Sequence, residues 1–178
     1  MKNPWWIFLL SGIILFLGIV TPGAFYSYPA GSINIWMWGL ISIYIRGYGT
    51  AISFATNPVF LIPSYIITLI MVLCLFGILI VTYLIKTRLQ NFKWESFFML
   101  IISVVSLVTI IWWIIFMEAF FAVGIEELDD PAFTSFWGIF APGFGVIGIF
   151  IEVIINIFGI VYIRNKITKT LRDISYED

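Results

Sequence analysis

Four long apolar stretches divide the chain. Each is near or beyond the roughly 20 residues that an α-helix needs to cross the hydrocarbon of a bilayer. The pattern therefore predicts an all-α membrane fold, a single four-helix bundle. The predicted transmembrane helices cover residues 5–22, 62–85, 96–123 and 137–163 of the 1–178 chain, with connections at 23–60, 86–95 and 124–136 and a tail at 164–178. No small-x-small cleavage site follows the first stretch, so we expect an uncleaved helix there.

The first connection, residues 23–60, is too long for a structureless loop and carries a period of two. One parity holds Ile33, Ile35, Met37, Ile41, Ile43 and Ile45. The other parity holds Asn34, Trp36, Trp38, Leu40, Ser42, Tyr44 and Arg46. This alternation predicts a β-hairpin of strands 32–45 and 49–54, with the isoleucine parity turned toward the helices. The alternative is a helix on the outer leaflet, in which residues three and four apart would be equivalent.

Proline and glycine mark the ends of two predicted helices. Pro22 and Gly23 follow the first apolar stretch, and Pro142 and Gly143 lie a turn or two inside the fourth. Proline within a helix removes a backbone hydrogen bond and clashes with the preceding turn. We therefore expect a kink or a delayed start in the fourth helix.

Composition and charge agree with a membrane protein and orient it. Hydrophobic residues make up 62% of the chain and charged residues 11%, unlike a soluble domain. Of the nine basic residues, only Arg46 lies in the first connection, and the third connection holds four carboxylates and no base. The others are Lys2, Lys86, Arg88, Lys93, Arg164, Lys166, Lys169 and Arg172. Because basic residues concentrate on the cytoplasmic side, both termini are predicted to be cytoplasmic, in a multi-pass protein of the plasma membrane.

This layout resembles that of the claudin and peripheral myelin protein families. Four helices, cytoplasmic termini and a large first outer loop with strands are shared, and the Trp38-Gly39-Leu40 step is similar to the Gly-Leu-Trp element of claudin loops. The order of that element differs here, and Tyr44 and the region 52–54 stand where the paired cysteines of claudin loops would fall. The resemblance implies an architecture with an extracellular sheet and a role in contacts between membrane proteins.

Cysteine and histidine usage excludes several chemistries. Cys74 is the sole cysteine and histidine is absent, so a disulfide redox pair and ordinary histidine-ligated haem, zinc or di-iron sites are excluded. The sequence also has no glycine-rich phosphate loop after a strand and no G-x-S-x-G element. We therefore predict a protein that is not an enzyme, with no catalytic residue, cofactor or metal.

Glu152, near the middle of the fourth apolar stretch, is the costliest residue to place in a membrane. A charge there costs roughly 2.5–3.5 kcal/mol, so Glu152 is expected to be protonated or turned inward onto polar partners. Asn156 follows one turn later on a face rich in small residues, which lets another helix approach closely. The candidate partners are Ser103, Ser106 and Thr109 on the third stretch, or Ser11 and Gly18 on the first. A hydrogen bond in packing is one reading, and a proton or cation site is the other.

Two charged segments flank the last stretches. The acidic connection near Asp130 lacks the ligand spacing of a calcium loop and is read as solvated. In the tail, Lys166, Lys169 and Arg172 lie away from an apolar stripe of isoleucine and leucine. This segment either lies on the anionic inner leaflet or forms a solvated end of the fourth helix.

The outer loop is the candidate contact surface. Trp36, Trp38, Tyr44 and Arg46 are the contact candidates, because aromatic and arginine side chains are enriched in protein interfaces. The sequence thus predicts a non-enzymatic membrane protein that mediates assembly, with membrane lipids and a second copy or another membrane protein as partners, and no nucleic acid. A small transporter or channel subunit that uses Glu152 is the alternative.

Overall fold

The computed structural model describes residues 5–87, 92–125 and 135–174. Within them the chain is mostly helical, with a small antiparallel sheet at one end. The helices are α1 (Trp5–Val20), α2 (Pro58–Thr87), α3 (Phe92–Ile125), α4 (Phe136–Ile139) and α5 (Phe144–Ile174). The strands are β1 (Ala24–Tyr28), β2 (Gly31–Ile35), β3 (Leu40–Ile45), β4 (Gly49–Phe54) and β5 (Ala141–Pro142).

Three helices are long and apolar enough to cross a bilayer, as an integral membrane protein requires. They are α2, most of α3 and the first 22 residues of α5. The fourth apolar helix, α1, has 16 residues and is shorter than these three. The structure therefore establishes a helical fold with three candidate spans and a small sheet.

The four long helices form a ring in the cyclic order α1, α2, α3, α5, each lying against its two neighbours. The interior is filled by large side chains without solvent exposure, such as Phe8, Ile78, Trp113 and Ile149. The outside of the ring is apolar as well, as Leu69, Leu73, Ile115 and Ile154 are largely exposed. A helix that is hydrophobic on all sides is typical of a membrane span.

The helix boundaries correct the predictions at two places. The second helix begins at Pro58 rather than at residue 62, because Asn57 Oδ1 accepts a hydrogen bond from Val59 N at 2.9 Å and caps the helix. Proline at the first helical position is favourable since its missing N–H has no partner there in any case. Pro63, in the second turn, is accommodated within the same helix.

The fourth apolar stretch is not one helix. The one-turn α4 ends at Ile139, the strand β5 follows, and α5 starts only at Phe144, so the delayed start predicted from Pro142 and Gly143 is confirmed. At its other end α5 continues to Ile174 without a break. The tail is thus helical in continuation of the last long helix as far as Ile174, and contact of this segment with the inner leaflet stays a prediction beside the solvated helix end.

The sheet has five strands in the order β4-β3-β2-β1-β5, and all neighbours are antiparallel. The predicted return strand 49–54 and the turn before it are confirmed by β4, whose Gly49 has a φ of 91°. The predicted single strand 32–45 is wrong, because the chain reverses between Trp36 and Gly39 and divides it into β2 and β3. Gly39 has a φ of 87°, a conformation that glycine adopts without strain.

The prediction that the alternating isoleucine side chains face the helices is confirmed in part. Cross-strand pairing aligns Ile35, Ile41 and Ser53 in one row, and this row faces the helices α2 and α3. Ile43 and Ile45, on the same side of β3, are 36% and 41% exposed, so the prediction that this parity is buried throughout is wrong. The reason is that the end of the β3–β4 hairpin extends beyond the residues that cover Ile35.

Close backbone contacts join the sheet to the bundle. Gly143 N donates to Gly23 O at 2.8 Å, and Gly145 N donates to Pro22 O at 2.9 Å. A Cβ atom on Gly143 would lie 2.2 Å from Pro22 O, so only glycine fits there. Trp36 Nε1 donates to Val20 O at 3.0 Å, at the end of α1. The sheet is therefore fixed to the ends of α1 and α5.

Candidate functional site

The interior of the bundle contains a carboxyl group. Glu152 and Asn156 lie one turn apart on α5, and neither has solvent exposure. Asn156 Nδ2 donates a hydrogen bond to Glu152 Oε1, and Ser11 Oγ on α1 donates to the same oxygen at 3.5 Å. The prediction that Glu152 turns inward onto polar partners is thus confirmed, with Ser11 as the partner on another helix.

Small residues bring α1 and α5 together on both sides of this hydrogen bond. A Cβ atom on Gly18 would lie 3.3 Å from Gly145 O, and one on Gly159 would lie 2.8 Å from Phe8 Cε1. The residues Gly18, Ser11 and Phe8 therefore face Gly145, Glu152 and Gly159 in antiparallel order. Such close approach places a short serine side chain within reach of a glutamate on the neighbouring helix.

Polar groups from the two remaining helices lie nearby. The Cys74 thiol on α2 lies beside the Ser106 hydroxyl on α3, and both are buried in the interior that holds Glu152. Among the described residues, Ser106 Oγ, Glu152 Oε2 and Asn156 Oδ1 have no well-formed hydrogen bond. All four long helices therefore contribute to one buried polar cluster, which we define as Ser11, Cys74, Ser106, Glu152 and Asn156. An unsatisfied buried polar group costs about 1–3 kcal/mol, so this cluster carries a cost in stability.

The other candidate partners of Glu152 bond to their own helix. Ser103 Oγ donates to Met99 O at 2.9 Å, and Thr109 Oγ1 donates to Val105 O at 2.7 Å. Within residues 5–87, 92–125 and 135–174, no group of three or more histidine, cysteine, aspartate or glutamate side chains is placed to hold a metal ion. The polar cluster thus offers a single carboxyl group with amide, hydroxyl and thiol neighbours.

A second carboxyl group has a structural role. Glu118 Oε2 on α3 accepts a hydrogen bond from Trp137 N at 3.2 Å, and Trp137 Nε1 donates to Ile114 O at 3.0 Å. These two bonds hold the short helix α4 against α3. The Trp137 ring also meets the ring of Trp113 edge to face, with centroids 5.9 Å apart.

The four contact candidates in the sheet region fall into two pairs. Trp36 and Trp38 are half-buried in the β2–β3 turn, where Trp36 bonds to Val20 O and the ring of Trp38 lies 5.9 Å from that of Phe54. They hold the sheet in place. Tyr44 and Arg46 are exposed at the end of the β3–β4 hairpin. Tyr44 and Arg46 are thus more exposed than Trp36 and Trp38, and a contact through any of the four stays a prediction.

The strand β4 forms an edge of the sheet that sequence reasoning did not single out. It pairs with β3 on one side and has no neighbour on its other side among the described strands. All six of its residues are exposed, as is the preceding turn, with Ile52 at 66% and Tyr48 at 91%. The unpaired backbone and the exposed apolar side chains make this edge a surface on which another strand can add.

For the three basic residues of the tail, the structure describes only the backbone. The positions of Lys166, Lys169 and Arg172 lie on the last turns of α5. Their side chains lie outside the described residues, and so does the acidic segment 126–130.

No protein-family model matches the chain, and no curated protein matches its sequence significantly. The function is therefore inferred from the geometry of this chain.

Proposed function

We propose that the chain is a non-enzymatic multi-pass membrane protein, claudin-like in architecture, that assembles with a second copy of itself through its sheet. The observation that carries this proposal is the edge strand β4, which is exposed along its whole length. A cytosol-facing or secreted soluble role does not account for three helices whose outer surfaces are apolar.

In the proposed topology α1 is the fourth span. Its 16 residues measure about 24 Å at 1.5 Å per residue, somewhat less than the ~30 Å of bilayer hydrocarbon. The helix lies along α5 and α2 in antiparallel order, and exposed side chains such as Phe16 make its outer surface apolar. With four spans both termini lie on one side, and the distribution of basic residues favours the cytoplasm for that side. The sheet then lies outside the cell.

The edge of β4 supports self-association for two reasons. An unpaired strand edge binds another strand through backbone hydrogen bonds, and natural monomers protect such edges with charges, prolines or bulges. Here the segment Gly49–Phe54 contains no charge and no proline, so the edge lacks this protection. A two-fold axis beside β4 would pair the strand with its own copy and leave only the two-residue strand β5, which contains Pro142, at the outer edges of the sheet.

The surroundings of the edge also favour a contact between proteins. Tyr44, opposite Thr50 in the register, and Tyr48 in the turn expose aromatic rings beside the unpaired backbone. Arg46 is exposed in the same turn. Tyrosine and arginine next to an apolar side chain such as Ile52 are the composition of an interface centre.

An edge-specific charge tests the proposal. Ile52→Lys places a charge beside the unpaired strand, and the matched variant Ser27→Lys places the same charge on an exposed site of β1, which lies on the other side of β2 and β3 from β4. Native mass spectrometry from lipid nanodiscs or mild detergent is expected to show dimers for the wild type and Ser27→Lys and monomers for Ile52→Lys. A monomeric wild type, or a hetero-assembly with another membrane protein, would overturn self-association.

A second candidate function is favoured by one observation, the unpartnered Glu152 Oε2 inside the bundle. A buried carboxyl group with a free oxygen is able to bind a proton or a small cation within the membrane. Proton or sodium flux into liposomes containing the wild type, and its loss in Glu152→Gln, would establish this role. Equal background flux for both proteins would leave the polar cluster as a packing feature.

A further inference from the structure

A cavity lies between the sheet and the helices, away from the buried polar cluster. Its volume is about 440 Å³, and it is partly open to the surface. The row Ile35, Ile41 and Ser53 forms its sheet side. Helix side chains, among them Phe60 of α2 and Phe120 of α3, form the opposite side. Small-molecule sites commonly enclose 300–1,000 Å³, so this space is large enough for a ligand.

The lining is strongly apolar and rich in phenylalanine. The rings of Phe60 and Phe120 lie 5.1 Å apart, and those of Phe136 and Phe140 stack at 4.5 Å. Four of these rings face the cavity from three different helical segments. Polar groups come mainly from one stretch, where Ser53, Thr56 and Asn57 connect β4 to α2. The cavity therefore has a long apolar surface and a polar margin on one side.

The cavity lies where the helices leave their apolar region. Phe60 is in the first turn of α2, and Met117 and Phe120 are near the sheet end of α3. The residues next to them on the same helices, Val59, Ile62 and Ile115, are about 60% exposed or more on the outer surface of the ring. This outer surface meets lipid if the helices span the bilayer, and the residues that line the cavity are then close neighbours of lipid-facing residues on the same helices.

We propose that this cavity binds one acyl chain of a bilayer phospholipid, with the ester and headgroup region at Ser53, Thr56 and Asn57. Water does not fill an apolar space of this kind well, and an empty space loses the dispersion contacts of its walls. A hydrocarbon chain from the adjacent leaflet supplies those contacts without leaving an apolar environment. The polar margin faces the depth at which glycerol esters are found.

The chain would join the sheet to the helices. On the cavity side, the β3–β4 hairpin reaches α2 and α3 through side chains around an open space, whereas β1 lies against α5. A bound acyl chain adds contacts to Ile41 on the sheet and to Phe120 on α3 at the same time. The lipid is thus a structural ligand that supports the hairpin carrying the exposed edge.

A photoreactive lipid tests the proposal. The protein is reconstituted in vesicles of phosphatidylcholine with a diazirine in the middle of one acyl chain, irradiated, and digested for mapping by mass spectrometry. We expect adducts on cavity residues such as Phe120 and Ile41 in addition to adducts on the lipid-facing residues Leu69 and Leu73. In mild detergent, native mass spectrometry is expected to show one retained phospholipid per chain.

Two matched tryptophan variants separate the cavity from the general lipid contact. Ser53→Trp directs a large ring from an exposed strand position into the cavity, whereas Thr50→Trp lies on the opposite face of β4. Adducts on cavity residues are expected to fall about tenfold in Ser53→Trp, because the acyl chain would lose the burial of roughly two methylene groups. They are expected to stay unchanged in Thr50→Trp. Adducts at Leu69 serve as the internal standard in both.

Three results would overturn the proposal. They are a wild type without adducts on the sheet side of the cavity, cavity adducts that do not change in Ser53→Trp, and a wild type that retains no lipid in mild detergent. The wild-type experiments stand by themselves if Ser53→Trp does not fold. Retention of an apolar peptide segment in place of lipid would assign the cavity to a protein partner instead.

Discussion

Ser11 on α1 and Glu152 on α5 face each other inside the helix ring, with 3.5 Å between Ser11 Oγ and Glu152 Oε1. Asn156 donates to the same glutamate oxygen from one turn away. This pair connects α1, the shortest of the four long helices, to α5, the helix that begins beside the sheet. A hydrogen bond in packing needs only an oxygen that accepts from Ser11 and Asn156, whereas proton or cation binding needs the carboxyl group itself. Substitutions of Glu152 therefore distinguish the two roles.

Replacement of Glu152 tests its packing role. Glu152→Gln keeps an oxygen that accepts from Ser11 and Asn156, so the thermal midpoint of unfolding in detergent is expected to change little. Glu152→Leu leaves both donors without an acceptor and is expected to cost roughly 0.6–2 kcal/mol, the range for hydrogen bonds between membrane helices. Ile154→Leu, two residues away on the exposed face, is the control. A Glu152→Gln variant as unstable as Glu152→Leu would contradict the packing role.

Gly145 is expected to be the least tolerant of the glycines within α5 itself. A Cβ atom there would lie 2.8 Å from Gly23 Cα and 2.9 Å from Pro22 O, both backbone atoms that cannot turn away. Gly145→Ala is therefore expected to lower stability by about 1–3 kcal/mol, as for overpacking in a core. At Gly148 the nearest atom is in the Phe144 ring, which is able to move, so Gly148→Ala is the matched control with a smaller loss. Equal thermal midpoints for both variants would contradict the described contact.

An aspartate scan of the sheet tests its two faces. Ile35→Asp places a charge among buried side chains next to the helices and is expected to abolish folded yield, since an unpaired buried charge costs several kcal/mol. Ile41→Asp, at the half-buried partner of Ile35, is expected to lower the folded yield. Ile43→Asp and Tyr44→Asp alter exposed positions and are expected to retain folded protein. Sensitivity at every third or fourth position, with Ile41 and Tyr44 alike, would contradict the strand β3 and indicate a helix.

The sequence predicted these features unequally, for physical reasons. Long apolar stretches are sufficient to locate the helices, and the glycines around Tyr48 are sufficient to locate the β3–β4 turn. Alternation alone does not show where a strand ends, so the reversal at Gly39 was missed, although glycine within a strand pattern is itself an indication of a bend. The strands β1 and β5 are short and pair across more than a hundred residues, which no local pattern reveals.

The candidate site, too, was predicted in part from local sequence and in part not. The cost of a carboxyl group in hydrocarbon identified Glu152, and the helical period identified Asn156. The helix α5 lies against both α1 and α3, and the choice of Ser11 over Thr109 depended on which side chain faces Glu152, which follows from tertiary packing. The cavity beside Ile41 also arises only when the sheet and the helices come together.

Protease protection tests the proposed topology. In intact cells, a tag after Asp178 is expected to be protected from external protease, while a tag inserted in the acidic segment 124–131 is expected to be cleaved. Permeabilised cells, in which both tags become accessible, provide the control. Cleavage of the C-terminal tag in intact cells would contradict a cytoplasmic C-terminus.

Disulfide cross-linking along β4 tests self-association most directly. In a Cys74→Ser background, single cysteines at Thr50, Ala51, Ile52 and Ser53 scan the strand in native membranes, and Ser27→Cys on β1 is the control. Two antiparallel strands paired about a two-fold axis bring the Cα atoms of the equivalent residues nearest the axis within the roughly 4.4–6.8 Å that a disulfide needs. We expect oxidation to give covalent dimers at one or two neighbouring β4 positions and none at Ser27→Cys. Monomers at all four β4 positions, or equal cross-linking at Ser27→Cys, would contradict assembly through the β4 edge.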